Sequence, residues 1–296
     1  MTRAFLMLLV IASCARATAS GDVPLDALAE VAGPDLPADP APDPAADPAP
    51  EVAVPCTVLF GVPNDKTGLT ADQCRPSCDC DALHFTPPVY TEAQIQAIAA
   101  HVLLDPAVAP AEDPYAHPEL HVPAPGKVCG FLADASTPGG YHLQTFDGAA
   151  AATAAGALVT HRDACGLCSP LADLVVYLRN PDLTAPVRQC GLLGMAQGDD
   201  ARLQCLRDLG FDEPCARTWD YNTQHTQAAC GSVCMKLLDA PYHNPDGSLN
   251  DCLQCDEIQS GDVFKAVAGR TRRNTGVPSS MCRPCSEVVP IVHDYP

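Results

Sequence analysis

The sequence predicts a mainly α, disulfide-rich helical domain with a loop-rich N-terminal portion, which follows a disordered arm rich in proline and aspartate. Three observations lead to this prediction. Sixteen of the 17 cysteines lie between Cys56 and Cys285, helical periodicity dominates the chain after Tyr141, and nine prolines and eight acidic residues crowd residues 21–55. The predicted segments are a signal peptide at 1–19, a linker at 20–55 and a folded domain at 56–296, divided into a loop-rich part at 56–140 and a helical part at 141–296.

The first residues have the pattern of an export signal. An early arginine is followed by an apolar run from Ala4 to Ala12 and then by small residues, too short a run for a final membrane anchor. Cleavage after Ala19 would release a secreted protein, whereas the sequence Ile11-Ala12-Ser13-Cys14 resembles a bacterial lipobox with Cys14 as the lipidated residue. We expect a secreted or cell-surface protein, or a periplasmic or outer-membrane lipoprotein if the lipobox is used, and membrane contact only through that lipid.

The linker is expected to stay extended. Its prolines prevent helix formation, its like charges repel one another, and its few large apolar side chains cannot form a core. The folded domain is also acidic, with 28 acidic against 15 basic residues at 56–296. This balance excludes nucleic acid as a predicted partner.

The cysteine count favours structural disulfides in an oxidising compartment. The cysteines predicted to form them are Cys56, Cys74, Cys78, Cys80, Cys129, Cys165, Cys168, Cys190, Cys205, Cys215, Cys230, Cys234, Cys252, Cys255, Cys282 and Cys285. The Cys252/Cys255 and Cys282/Cys285 pairs also have the spacing of a four-thiolate zinc site, so we predict no cofactor but keep zinc as the alternative. Cys230 and Cys234 share one helix face and are expected to crosslink two neighbouring helices.

Several helices have clear boundaries in the sequence. Thr91 and Gln94 form a capping-box pattern before an apolar run, and Ser169 and Pro170 are typical of a helix start. Asp199 or Asp200 starts a further helix that ends at Gly210. Helices are also predicted at 147–160, 221–238 and 262–273. No alternation typical of strands is found beyond residues 56–60.

The charge pattern contains one basic segment. Between Val263 and Ser286 there are five Lys or Arg residues and no Asp or Glu. Since arginine presents a planar fork that suits anions, this segment predicts a site for an anionic ligand. The candidate ligand-binding residues are Lys265, Arg270, Arg272, Arg273, Asn274 and Asn222. The alternative is an internal ion network in which these cations pair with Asp251, Asp256, Glu257 and Asp262.

Two polar segments could support acid/base chemistry. His161, Asp163 and Asp173 flank the Cys165/Cys168 turn, and His225 lies in a polar helix. These four residues are the catalytic candidates. The alternative is that the aspartates cap helices and the histidines are structural. No HExxH, nucleophile elbow or phosphate loop is present to support an enzyme.

Three segments of the helical part resemble a known family. The segments HRDACGLCSPLADLVVYLRNPDLTAPVRQCGL, WDYNTQHTQAAC and SLNDCLQCDEIQSGDVFKAVAGRTRRNTG resemble those of uncharacterised secreted cysteine-rich proteins of microbial eukaryotes, over roughly residues 141–290. The resemblance implies an exported, crosslinked helical domain and an ordinary secretory signal. It implies no activity, because none is assigned to that family.

Together these patterns predict an exported, disulfide-stabilised binding domain. Its expected partner is an anionic ligand or a cell-surface molecule that contacts the basic segment. The alternative is a secreted hydrolase that uses one of the histidines with Asp163 or Asp173, with or without a metal ion.

Overall fold

Strands are concentrated in the first half of the folded chain and helices in the second half. The computed structural model describes residues 58–80 and 83–296. Within these ranges no helix is long and apolar enough to cross a membrane. The predictions for the signal peptide, Cys14, the linker and Cys56 concern positions outside the described residues.

A small sheet joins the beginning of the folded chain to its end. Strand β1 (Leu59–Phe60) pairs in parallel with β2 (Cys74–Arg75) and antiparallel with β9 (Arg283–Pro284), and β3 (Cys78–Cys80) forms a hairpin-like pair with β4 (Leu83–Phe85). The Cys74–Cys282 and Cys78–Cys285 disulfides crosslink the same two regions. Strands of two or three residues contribute few hydrogen bonds, so we attribute much of this closure to the disulfides.

A four-stranded sheet contradicts the prediction that no strand follows residue 60. Its members are β5 (Val102–Leu103), β6 (Val128–Ala133), β7 (Gly140–Phe146) and β8 (Leu158–Arg162), in the order β5-β7-β6-β8. The first four residues of β6 are all buried. A strand covered on both faces has no alternation of apolar and polar residues, which is why its sequence lacked the expected signal.

The predicted helix at 147–160 is wrong in its second half. Helix α2 covers only Ala149–Ala154, and the chain then turns at Gly156, whose φ is 73°, and enters β8. The alanine-rich composition favours helix locally. Tertiary pairing with β6 decides the conformation of residues 158–162.

Helix α1 (Glu92–Ala99) confirms the capping-box prediction. The Thr91 hydroxyl accepts a hydrogen bond from the Gln94 backbone, and the Gln94 side chain accepts one from the Thr91 backbone. Ile95 and Ile98 are buried in a core cluster with side chains of β6, β7 and helix α3 (Leu171–Arg179). The chain leaves the helical conformation before Val102, which lies in β5.

The remaining helices follow one another with short connections. They are α3 (Leu171–Arg179), α4 (Thr184–Gln197), α5 (Asp199–Asp208), α6 (Glu213–Cys234), α7 (Asp251–Gln259) and α8 (Gly261–Ala268). A second core cluster forms where α3, α4, α5, α6 and α8 meet, and it includes Val176, Leu206, Phe211 and Cys215. The start and end predicted for α5 are confirmed. Ser169 does not cap α3, because its hydroxyl is used by His161.

Every described cysteine is disulfide-bonded. Seven bonds join Cys74–Cys282, Cys78–Cys285, Cys129–Cys165, Cys168–Cys215, Cys190–Cys205, Cys230–Cys255 and Cys234–Cys252, and Cys80 is also disulfide-bonded. The last two bonds crosslink α6 to α7, as the spacing of Cys230 and Cys234 predicted. The Cys252/Cys255 and Cys282/Cys285 pairs bond to different partners, so their thiolates are not available to zinc.

His142, on strand β7 of the larger sheet, contacts two carboxylates. Nδ1 of His142 lies 2.6 Å from Asp105, and Nε2 lies 3.4 Å from Asp134. Both carboxylates favour the protonated ring, and Asp105 has the larger effect in raising the pKa of His142. The ion pairs therefore contribute to stability below the unfolded-state pKa of about 6.5 and lose that contribution as the pH rises through the higher folded-state pKa.

We expect His142→Gln to lower the melting temperature more at pH 5.5 than at pH 8.5. The glutamine keeps hydrogen bonding but removes the charge. Thermal unfolding of both proteins across this pH range tests the prediction, with His117→Gln as a control on another exposed histidine near a carboxylate. An equal or larger effect of His142→Gln at pH 8.5 would contradict it.

Candidate ligand-binding cavity

Helix α8 ends before the arginines of the basic segment, so the predicted helix at 262–273 is too long. Its last carbonyls, those of Val267 and Ala268, accept hydrogen bonds from the backbone of Leu167 and Cys168. The next residue, Gly269, has a φ of 70°, and a Cβ there would lie 2.7 Å from the carbonyl of Ala164. The Cys165/Cys168 turn therefore ends α8 and directs the following arginines into an irregular segment.

Arg270 is a structural residue and does not face a ligand. It is completely buried. Its guanidinium donates hydrogen bonds to the carbonyls of Thr160, Cys168 and Ser169 at 3.1, 3.3 and 2.7 Å, and to the Thr160 hydroxyl at 2.6 Å. The fork thus joins β8 to the start of α3. We correct the assignment of Arg270 to an anion site, because its donors are used within the protein.

Asn274 has a similar structural role. Its side-chain amide donates to the carbonyls of Gly269 and Arg162 at 2.7 and 2.9 Å and to the Asp163 carboxylate at 2.9 Å. Asp163 has a φ of 74°, and these contacts hold it in that left-handed conformation. Asn274 and Asp163 therefore stabilise a turn, which argues against both the ligand-binding and the catalytic assignment.

His161 is buried in β8 and held as a neutral ring. Its Nδ1 donates to the carbonyl of Arg162 at 2.6 Å, and its Nε2 accepts from the Ser169 hydroxyl at 2.7 Å. The Ser169 oxygen in turn accepts from the Gly166 backbone. Burial, with a further effect from Arg270, lowers the pKa of His161 well below its usual value. His161 and Ser169 have the residue types of a catalytic Ser-His dyad, but both are fully buried, so a substrate could not reach them.

Asp173, in the first turn of α3, is also buried. One of its oxygens accepts the Asp212 backbone amide at 3.0 Å, and the other has no hydrogen-bond partner in the described part of the chain. Burial raises the pKa of Asp173 well above its usual value, which favours the neutral acid. It holds the start of α6 and is not paired with His161.

His225 lies on α6 in a separate polar cluster. Its ring stacks on Tyr115 with 4.2 Å between centroids, and Nδ1 lies 3.1 Å from the Ser260 hydroxyl. Thr226 contacts both Ser260 and Asp256. Across residues 58–80 and 83–296, no hydrogen bond or ion pair joins any two of the four catalytic candidates, His161, Asp163, Asp173 and His225. The convergence that a hydrolase would require is not present.

A cavity of about 630 Å³ lies among α4, α6, α7, α8 and the segment after α8. Most of its wall is apolar, with contributions that include Leu183, Val187, Leu192, Leu238, Leu253 and Phe264. Cavities that bind small molecules usually measure about 300–1,000 Å³ and have apolar walls with a few polar groups. The size and lining are therefore those of a small-molecule site.

Four of the predicted ligand-binding residues line this cavity: Asn222, Lys265, Arg272 and Arg273. Asn222 lies on α6, where its side-chain oxygen accepts a hydrogen bond from the Tyr115 hydroxyl at 2.6 Å. The structure thus brings these four together around one space. It separates them from Arg270 and Asn274, which are buried on the side of the segment that faces β8.

Glu257 on α7 organises the cations at the cavity. Its two oxygens lie 2.6 Å from Lys265, 3.2 Å from Arg273 and 3.0 Å from Arg283, and all four residues line the cavity. Burial alone would raise the pKa of Glu257, but the arginines and Lys265 together lower it to about 2. The predicted internal ion network is therefore present in part, around Lys265, Arg273 and Arg283. Its central carboxylate is Glu257.

Other predicted members of the network differ in their roles. Asp262 is 3.6 Å from Lys265 and is largely exposed. Asp256 accepts a hydrogen bond from Thr226, and burial raises its pKa. A second carboxylate that the sequence pattern did not include, Glu287, lies 2.9 Å from Arg273.

Two cavity cations, Arg188 and Arg272, form no ion pair within the described residues; Arg188 donates to the carbonyl of Leu238 at 3.0 Å. Arg272 donates to the carbonyls of Tyr177 and Pro278 at 2.9 and 3.2 Å and to that of Asn180, and its guanidinium lies 5.3 Å from the centre of the Tyr177 ring. Burial lowers its pKa to about 10, so it is still charged at neutral pH.

Two further polar groups at the cavity lack partners in the described chain. The Tyr177 hydroxyl and the Trp219 indole nitrogen are buried and form no hydrogen bond. Trp219 lies near enough to the Tyr177 hydroxyl to favour its ionised form slightly, but burial dominates and raises the pKa of Tyr177. The Tyr177 hydroxyl therefore keeps its proton. Buried donors without partners lower stability.

The sequence pattern did not predict that α4 forms part of the cavity wall. Val187 and Leu192 of α4 line the cavity, and so does Met195, which is 61% exposed. The only signal was that apolar residues occur on more than one face of α4, which a single buried face does not require. No metal site accompanies the cavity: the described residues contain no group of three or more His, Cys, Asp or Glu that could hold a metal ion.

One region of the chain is similar to a known protein family. Residues 199–291 match the model of a family of unknown function (DUF8771). The matched range begins at α5 and contains α6, α7, α8 and the arginine segment, whereas α3 and α4 precede it. No curated protein and no solved structure matches the chain. The part of the chain that carries the charged wall of the cavity is thus similar to a family without a known activity.

Proposed function

We propose that this protein is an exported binding domain that holds a small organic anion in the cavity. The disulfides indicate an extracellular or secreted protein. The observation that carries the proposal is the cavity itself, which combines an apolar wall with five cations, Arg188, Lys265, Arg272, Arg273 and Arg283. An apolar molecule with one anionic group would complement both features.

The charge balance supports an anionic ligand. Glu257 and Glu287 compensate part of the positive charge, but Arg272 lacks a carboxylate. Asp256 also lines the cavity, but it is hydrogen-bonded to Thr226 and forms no ion pair within the described residues. Grouping cations around one cavity is unfavourable in the absence of a counter-ion. An anionic ligand would supply the missing negative charge in the place where the acidic domain is locally positive.

A cavity-filling substitution tests this proposal. Gly231 lines the cavity from α6, and a Cβ added there meets no atom within 4 Å. We expect Gly231→Phe to fill the cavity and weaken binding of the anionic fluorophore 8-anilinonaphthalene-1-sulfonate by about tenfold or more. The measurement is a fluorescence titration at pH 7.5.

Gly231→Ala is the matched control. It adds only one methyl group and should bind the fluorophore nearly as well as the wild type, while the helix gains up to about 1 kcal/mol from the loss of glycine. If the wild type shows no saturable binding, or if Gly231→Phe binds equally well, the cavity is not the binding site and the proposal fails.

A further inference from the structure

Three cations and one carboxylate form the anion-binding part of the cavity. Lys265, Arg273 and Arg283 come from α8, the segment after it and β9, and all three contact Glu257 on α7. No other described carboxylate both lines the cavity and contacts a cation there. Glu257 therefore occupies the position that a ligand's anionic group would take.

Accepting the proposed function as its basis, we infer that Glu257 is an internal counter-anion that competes with the anionic group of the ligand for Lys265, Arg273 and Arg283. The Glu257 side chain lines the cavity and is 25% exposed, while its Oε1, which contacts Lys265 and Arg273, is buried among these cations. A ligand carboxylate that approaches these cations meets a like charge at the same place. Repulsion between two such charges weakens binding, and it acts on anions but not on neutral ligands.

The competition has a role in the empty protein. Without Glu257, three positive side chains would lie close together with Glu287 and the largely exposed Asp262 as the carboxylates that contact them in the described chain. The internal carboxylate holds the cations in one place before a ligand arrives. It thereby stabilises the empty cavity and limits the affinity for anions, so the site selects ligands whose apolar part also contributes to binding.

The test compares two probes of equal chain length, decanoate and decanol, by titration calorimetry at pH 7.5 and low ionic strength, below micelle-forming concentrations. We expect Glu257→Gln to bind decanoate about tenfold more tightly than the wild type. Decanol binding should change by less than about twofold. Glu287→Gln is the matched control, because Glu287 also contacts Arg273 but does not line the cavity, and it should change decanoate binding by less than about threefold.

Glu257→Asp is a second variant that keeps the inference testable if Glu257→Gln folds poorly. It keeps the charge with a shorter side chain, so its affinity for decanoate should stay within about threefold of the wild type. If Glu257→Gln binds decanol normally but decanoate no more tightly, or if Glu257→Asp tightens decanoate as much as Glu257→Gln, the competition is refuted while the cavity site stands. If neither probe binds the wild type or any variant, the proposed function fails and the inference fails with it.

Discussion

Replacement of Arg270 by methionine is expected to lower the free energy of unfolding by about 3 to 5 kcal/mol. The substitution keeps an apolar side chain of similar length but removes every donor of the guanidinium. The carbonyls of Thr160, Cys168 and Ser169 would then be buried without their partner. Unpaired buried acceptors cost about 1–3 kcal/mol each, and the relief from burying a charge offsets part of that cost.

Urea denaturation with the disulfides intact measures this effect. Arg217→Met is the control, because Arg217 is exposed and pairs only with Glu213 on the same helix. It should cost about 1 kcal/mol or less. Arg270→Lys should remain strongly destabilising, since one ammonium group cannot reproduce the planar fork. A loss below about 1 kcal/mol for Arg270→Met would show that the buried bonds are not what holds β8 to α3.

Removal of both long-range disulfides is expected to cost more than the sum of the two single removals. Cys74–Cys282 and Cys78–Cys285 span 208 and 207 residues and close almost the same loop. When one bond is removed, the other still restricts the unfolded chain, and about 2–3 kcal/mol is lost. When both are removed, the large loop opens as well, and the loss should reach about 8 kcal/mol.

A double-mutant cycle with alanine pairs tests this non-additivity by urea denaturation. The control cycle uses Cys129–Cys165 and Cys190–Cys205, which span 36 and 15 residues and share no part of the chain. Their losses should add within about 0.5 kcal/mol. Additive losses for the two long-range bonds would mean that the unfolded chain already keeps these regions together.

The sequence predicted the local structure correctly where a few neighbouring residues decide the conformation. The Thr91 and Gln94 capping box forms as expected, because its hydrogen bonds connect residues three positions apart. The spacing of Cys230 and Cys234 correctly predicted a crosslink between helices, because positions i and i+4 share a helix face. The segment after Tyr141 was misjudged because strand pairing joins residues distant in sequence.

In the candidate site, too, the features set by neighbouring residues were predicted and those set by distant contacts were not. The basic segment pointed to the right region of the chain, and Lys265, Arg272 and Arg273 do line the cavity. The pattern could not tell that Arg270 faces β8. That depends on the turn at Gly269, whose conformation is imposed by contact with the Cys165/Cys168 turn about 100 positions earlier.

By itself, the sequence determined the cysteine-rich composition, the helix starts at Thr91 and Asp199, the charge balance and the location of the basic segment. These are properties of composition or of short-range hydrogen bonding. Only the tertiary structure decided the four-stranded sheet, the pairing of the cysteines, the separation of Arg270 from its neighbours and the cavity on α4. Each of these depends on which distant surfaces pack together, and that packing is set by the burial of the whole chain.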